Sequence, residues 1–187
     1  MTPEQTSLLD GLKAPLLTID DAHRFWSQES VILQAFEAAK ATLTVLEHAN
    51  LQARMNTQVR QAAWLRIEQA FANDPDLATV SISRDEEEGR YGYLYVEMGA
   101  KGDDHAYGLG EYPGGADEQL QMFINDMGRK AFEEFHDDLV QLGTVEHDDL
   151  DAGATAILGD AWNAARRAAL LKQALPTPSK NAFKPRF

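Results

Sequence analysis

The chain has 187 residues, of which 44% are hydrophobic and 25% are charged, a composition typical of a folded globular domain rather than of a disordered segment. It contains no cysteine, which excludes a disulfide scaffold, a thiol nucleophile and a thiolate zinc site. Its first residues lack the basic and apolar regions of a secretory signal, and no stretch approaches the roughly 20 apolar residues that span a bilayer. We therefore expect a cytoplasmic protein that does not bind membranes.

The net charge of −13 is distributed unevenly along the chain. Residues 1–73 carry 6 basic and 8 acidic side chains, residues 74–160 carry 5 basic and 22 acidic ones, and residues 161–187 carry 6 basic and none acidic. The acidic middle repels phosphate backbones and anionic membrane surfaces, so we expect no direct binding of nucleic acid. It favours a basic protein partner, or contact with the chain's own basic end.

Helical patterns dominate the first 73 residues. Thr2 and Thr18 each precede residues typical of a helix start, and they predict one helix to about Leu12 and a second running toward Asn50. Apolar residues at spacings of three and four support the second helix. The same spacing predicts a third helix from about residue 57 to residue 73.

The period of the apolar residues then changes from helical to two, which predicts strands. A first strand begins near residue 77, a return strand covers residues 91–98, and a weaker third strand covers about His105 to Tyr112. The purely apolar set in the return strand is expected to face the core, and it consists of Leu94, Val96 and Met98. Short loops between the strands predict an antiparallel meander.

The pattern returns to helical in the last third of the chain. Helices are predicted from Asp117 to about Leu142 and, after an acidic loop, from Ala152 to Leu175. The fold class predicted is α+β, with a three-stranded antiparallel meander flanked by N-terminal and C-terminal helices. We expect a single domain over residues 1–175 (1–73 helical, 77–112 meander, 117–175 helical) and an extended basic tail over residues 176–187.

Few motifs in the chain suggest catalysis. Histidines beside aspartates, at His105, His136 and His147, resemble parts of metal-ligand sets, and Glu133 lies three residues before His136. The pattern of apolar residues, however, places Glu133 and His136 on the solvent side of their helix. Residues 149–160 lack two required features of a calcium loop. There is no phosphate-binding loop and no nucleophile elbow, so we predict no catalytic residue, no metal site and no cofactor.

Interaction surfaces are the stronger candidates. Dense carboxylates favour a basic partner. Tyrosines alternating along a strand, and phenylalanines between cations in the tail, suit protein interfaces. The predicted partner-binding residues are Glu86, Glu87, Glu88, Tyr91, Tyr93, Tyr95, Asp148, Asp149, Asp151, Phe183 and Phe187.

The sequence therefore predicts a non-enzymatic acidic protein that binds a basic protein partner, as inhibitor, immunity, anti-defence or chaperone-like proteins do. Two alternatives remain open. One is a metal-dependent hydrolase that uses the His/Asp pairs. The other is a structural homo-oligomer in which the C-terminal tail of one subunit docks on the next.

Overall fold

The computed structural model of the chain describes residues 1–84, 94–108, 111–112, 120 and 139–174. These residues form six α-helices, four β-strands and one 3-10 turn. In chain order the elements are α1 (Pro3–Gly11), α2 (Ile19–Ser27), α3 (Glu29–Lys40), α4 (Val45–Asn73), β1 (Leu77–Arg84), β2 (Leu94–Ala100), β3 (Ala106–Tyr107), β4 (Thr144–Glu146), the 3-10 turn (His147–Asp149), α5 (Leu150–Leu158) and α6 (Asp160–Ala174).

Hydrogen-bonded caps set the starts of three N-terminal helices. Thr2, Thr18 and Thr44 each accept a bond from the backbone N–H three residues later, and the side chain at that later position bonds back. The third cap was not foreseen. It begins α4 at Val45, so the helix predicted from residue 57 starts earlier and is 29 residues long. The helix predicted from Thr18 toward Asn50 is instead two helices, α2 and α3, which meet at Gln28 and end at Lys40.

The α+β class is confirmed, but the prediction of a three-stranded meander was not exact. The sheet has four antiparallel strands in the order β3-β2-β1-β4. The additional strand, β4, lies where an acidic loop was expected, and it pairs with β1 through Val145 opposite Val80. The third predicted strand shrinks to Ala106–Tyr107.

One face of the sheet belongs to the core. Leu94, Val96 and Met98 are buried, as their alternation predicted, together with Val80 and Val145 from the neighbouring strands. They join a single cluster with the buried side chains of α4, of which the largest are Trp64, Phe71 and Met55. Helix and sheet therefore share one hydrophobic core.

The last helical region is two helices rather than the single one predicted from Ala152 to Leu175. Gly159 separates α5 from α6 with φ of +88°, a conformation that glycine adopts without steric cost. Hydrogen bonds between α5 and α6 show that the chain reverses there. Asn163 of α6 donates to the backbone carbonyl of Asp151 at 2.8 Å and to the hydroxyl of Thr155 at 2.9 Å. The two helices thus lie antiparallel. Within the described ranges, no helix has the length and hydropathy required to cross a membrane.

Candidate functional site

Acidic side chains from three loops collect at one end of the sheet. β1 begins where β2 ends, since Leu77 pairs with Ala100, and β4 finishes beside the start of β1, since Glu146 pairs with Thr79. The loops at that end belong to different parts of the chain. We call their exposed carboxylates the acidic end, and it comprises Asp76, Asp103, Asp104, Glu146, Asp148 and Asp149.

Packing against α4 fixes the last of these loops. The ring of His147 in the 3-10 turn lies edge-on to Phe71, with 5.2 Å between ring centroids, and Phe71 is buried near the C-terminus of α4. His147 Nδ1 also lies 3.1 Å from the carboxylate of Asp148. The turn is thereby held against the core while Asp148, whose side chain is 90% exposed, projects into solvent.

The turn between β2 and β3 is held by hydrogen bonds to one of the carboxylates. Asp103 accepts a bond from the hydroxyl of Tyr107 and another, of 2.9 Å, from the backbone N–H of His105. These bonds, the Tyr107 bond above all, lower the pKa of Asp103 and raise the pKa of Tyr107. Asp103 is therefore ionised at neutral pH and contributes a full negative charge to the acidic end.

Asp151, predicted with Asp148 and Asp149, has a different environment. One carboxylate oxygen of Asp151 lies 2.6 Å from Nη2 of Arg166, and the other lies 3.6 Å from Nη1 of Arg167. Its charge is compensated by these two arginines, so it is not counted in the acidic end.

Arg166 is the centre of a buried polar network that the sequence did not reveal. Its side chain is 6% exposed, and it donates to Glu68 on α4 as well as to Asp151 on α5 and Asn163 on its own helix. Glu68 also accepts a bond from the indole of Trp64. Burial raises the pKa of Glu68 despite the opposing effect of the Arg166 charge. The network joins three helices, and this indicates a structural role.

The remaining predicted interaction residues fall largely outside the described part of the chain. These are Glu86, Glu87, Glu88, Tyr91, Tyr93, Phe183 and Phe187. Tyr95 lies in β2, where its backbone pairs with Ser83.

The described residues contain no cluster of metal ligands of the kind that a metal-dependent hydrolase would need. His105 and His147 are each close to one aspartate, but no group of three or more His, Asp or Glu side chains is arranged to hold a metal ion in this part of the chain. His136 and Glu133 lie outside it.

Comparison with known proteins does not narrow the assignment. No protein family, no curated protein and no solved structure shows a significant match to this chain.

Proposed function

We propose that this chain is a non-enzymatic protein that binds a basic protein partner through its acidic end, in the manner of an inhibitor, immunity, anti-defence or chaperone-like protein. The observation that supports this function is the strand register, which brings six exposed carboxylates from three loops to one end of the sheet. Lys101 is the one lysine or arginine among the described residues of these loops.

Charge of one sign over a surface of this kind acts mainly on association. An exposed ion pair contributes only about 0–1 kcal/mol. Several like charges together raise the association rate of an oppositely charged partner and disfavour neutral or acidic ones. Because exposed charges are screened over about 8–10 Å at physiological salt, binding of this kind weakens as salt increases.

Neutralising three carboxylates of the acidic end tests the proposal. The variant Asp76→Asn/Asp104→Asn/Glu146→Gln changes exposed side chains that make no hydrogen bond to the described residues. The control Glu4→Gln/Asp20→Asn/Glu37→Gln removes the same charge from exposed positions on α1, α2 and α3.

Both variants and the unmodified chain would be immobilised and challenged with lysate of the source cells at rising salt, with retained proteins identified by mass spectrometry. We expect a basic protein to be retained by the unmodified chain and the control, to be lost from the site variant, and to elute as salt rises. Equal retention by the site variant, or retention that salt does not weaken, would refute the proposal.

The homo-oligomer is supported by a separate observation, the course of α6. Arg166 and Arg167 lie beside Asp151, near the start of α5, and the remaining residues of α6 to Ala174 extend roughly 10 Å beyond that point. α5 itself starts at the 3-10 turn, so α6 runs toward the acidic end. Residues 175–187, which lie outside the described residues, follow it and carry Lys180, Phe183, Lys184, Arg186 and Phe187.

Under this second function, the basic tail of one subunit docks on the acidic end of another. Deletion of residues 176–187 tests it, with mass measured by light scattering and stability by thermal unfolding. A drop from oligomer to monomer supports tail docking, whereas unchanged mass and stability exclude it.

A further inference from the structure

A cavity of about 480 Å³ lies far from the acidic end, between the first half of α4 and the loop that joins α1 to α2. Its volume falls in the range of about 300–1,000 Å³ that is usual for small-molecule sites. The loop contributes Leu12, Lys13, Ala14 and Pro15 to its walls. The polar side chains that α4 contributes are Asn50, Arg54, Thr57, Gln58 and Gln61.

Two buried glutamines line this cavity. Gln58 and Gln61 are each only 4% exposed. Gln58 Nε2 donates to the carbonyls of Ala14 at 2.6 Å and Gly11 at 3.4 Å, and Gln61 Oε1 accepts from the backbone N–H of Leu16 at 2.9 Å. One half of each amide therefore fixes the loop.

The other half of each amide is available to a ligand. Gln58 retains Oε1 as an acceptor, and Gln61 retains Nε2, which donates no hydrogen bond to the described residues. Neither atom is fully buried, so each can bond solvent, and a polar ligand can replace that water if it reproduces its hydrogen bonds. The donor and acceptor come from neighbouring turns of one helix, which fixes their spacing.

The charged groups at this cavity are basic, in a protein whose net charge is −13. Lys13 and Arg54 line it, and no aspartate or glutamate does. Lys13 pairs with Asp10 at 2.6 Å, but both side chains are more than half exposed, and such pairs exchange readily with solvent and ligands. Arg54 is exposed and makes no ion pair with a described residue. Its guanidinium can bind a carboxylate or a phosphate through two parallel hydrogen bonds.

A second cavity, of about 250 Å³, borders the same loop, shares Gln58 with the larger cavity and provides a contrast. Its arginine, Arg24, lies 3.3 Å from Asp21, which also lines it. Apolar side chains contribute much of the remaining wall, among them Leu8, Phe25 and Ile32. An aspartate lines the smaller cavity and none lines the larger one, so the larger cavity is the better anion site.

We propose that the larger cavity binds a small polar anion, a molecule of metabolite size that carries a carboxylate or phosphate group and a neutral polar part. Arg54 and Lys13 hold the anionic group at the rim. Gln58 Oε1 and Gln61 Nε2 hydrogen-bond the neutral part below it. This site uses none of the residues of the acidic end, so it goes beyond the proposed protein-binding function.

Titration of the full chain with three probes tests this site. Inorganic phosphate and a sugar phosphate represent phosphates, succinate represents carboxylates, and binding is followed by NMR through the side-chain amide signals of Gln58 and Gln61. We expect saturable shifts of these signals with at least one probe, and the probe that binds identifies the anionic group. A sugar phosphate should bind more tightly than phosphate, because only the sugar phosphate reaches both glutamines.

Arg54→Gln and Arg24→Gln provide a matched pair, since each removes one exposed arginine beside a different cavity. We expect Arg54→Gln to weaken binding about tenfold, because it removes one charge-assisted contact with the ligand. Arg24→Gln should leave binding unchanged. No saturable shift with any probe up to about 10 mM, beyond the millimolar range of weak specific binding, would overturn the proposal. Equal weakening by the two variants would also overturn it.

Discussion

The two halves of α4 use their polar residues differently. In the first half Val45 is 89% exposed and Leu46 is 71% exposed, and the polar residues line an open cavity or face solvent. In the second half Trp64, Ile67 and Phe71 are buried, and Glu68 is paired with Arg166. A single helix of 29 residues, about 43 Å long, thus spans two environments.

The second half of α4 therefore contributes mainly to stability, whereas the first half is available for binding. Glu68 in the second half is hydrogen-bonded inside the protein, by Arg166 of α6 and by Trp64 of its own helix, and its removal affects folding. In the first half, hydrogen-bonding capacity and positive charge remain accessible to a ligand. The glutamates of the helix show the same contrast: the cap with Thr44 lowers the pKa of exposed Glu47, whereas burial raises the pKa of Glu68.

The largest effect is expected from Arg166→Ala, which removes the centre of the buried network. Loss of one partner of a buried ion pair costs about 3–5 kcal/mol, because the remaining charge stays buried without compensation. For a domain of this size that corresponds to a fall in Tm of roughly 10 °C. Thermal and urea unfolding measure it.

Arg167→Ala is the matched control for Arg166→Ala, since Arg167 is 56% exposed and lies 3.6 Å from the same aspartate. It should change stability by less than about 1 kcal/mol. Similar losses in both variants would show that the network is not what stabilises the second half of α4.

A smaller effect is expected where α5 crosses α4. A Cβ atom at Gly153 would lie 2.9 Å from Cη2 of Trp64, a ring that is fully buried. Gly153→Ala should therefore cost about 1–3 kcal/mol through overpacking, measured by urea unfolding. Gly11→Ala is the control, because a Cβ there meets no atom within 4 Å. A neutral Gly153→Ala would mean that α5 does not pack closely on the second half.

A hydrogen-bonded cap begins the first half. Thr44→Ala removes the hydroxyl that accepts from the backbone N–H of Glu47, at 3.3 Å, and should cost about 1 kcal/mol. Thr44→Ser retains the hydroxyl and should preserve most of the stability. Loss of stability in both variants would assign the effect to packing of the threonine methyl instead. Urea unfolding of the two variants provides the comparison.

The finest test compares the pH dependence of Glu68→Gln and Glu47→Gln. The pKa of Glu68 is raised on folding, so its contribution to stability is present below about 4.5, the unfolded value, and is lost as pH rises through the folded pKa. The pKa of Glu47 is lowered, so its contribution is present above that value and is lost as pH falls.

Relative to the unmodified chain, Glu68→Gln should gain stability as pH rises above about 4.5. Glu47→Gln should instead lose relative stability as pH rises toward that value from below. Unfolding free energies measured between about pH 2 and 7 decide the matter. If the unfolding free energy of both variants, relative to the unmodified chain, changed with pH in the same direction, the contrast between the two halves would be contradicted.

Local patterns in the sequence predicted local features of the fold. The alternation of Leu94, Val96 and Met98 indicated the buried face of β2, and Thr2 and Thr18 indicated two helix starts. Features that depend on distant residues were missed. β4 is three residues long, too short for a recognisable period, and its pairing partner in β1 lies more than 60 residues earlier.

In the candidate sites, too, the sequence indicated local features but not the contacts between distant residues. The acidic segment around Asp148 was visible in composition, but its proximity to Asp76 and Asp103 follows only from strand register. Glu68 and Arg166 are 98 residues apart, and charged residues on helices usually face solvent. A signal was available: Glu68 falls between Trp64 and Phe71 on the apolar side of α4.

The contact between Trp162 and Leu16 has a consequence for folding during synthesis. The indole Nε1 of Trp162 donates to the carbonyl of Leu16 at 2.8 Å, across 146 residues of sequence. The loop that forms one wall of the cavity therefore acquires its last hydrogen bond only after α6 has left the ribosome. Contacts of such long separation slow folding, because the chain loses the entropy of closing a long loop before the contact stabilises it. A nascent chain that stalls before residue 162 would present an N-terminal helical region in which the carbonyl of Leu16 lacks the hydrogen bond from Trp162.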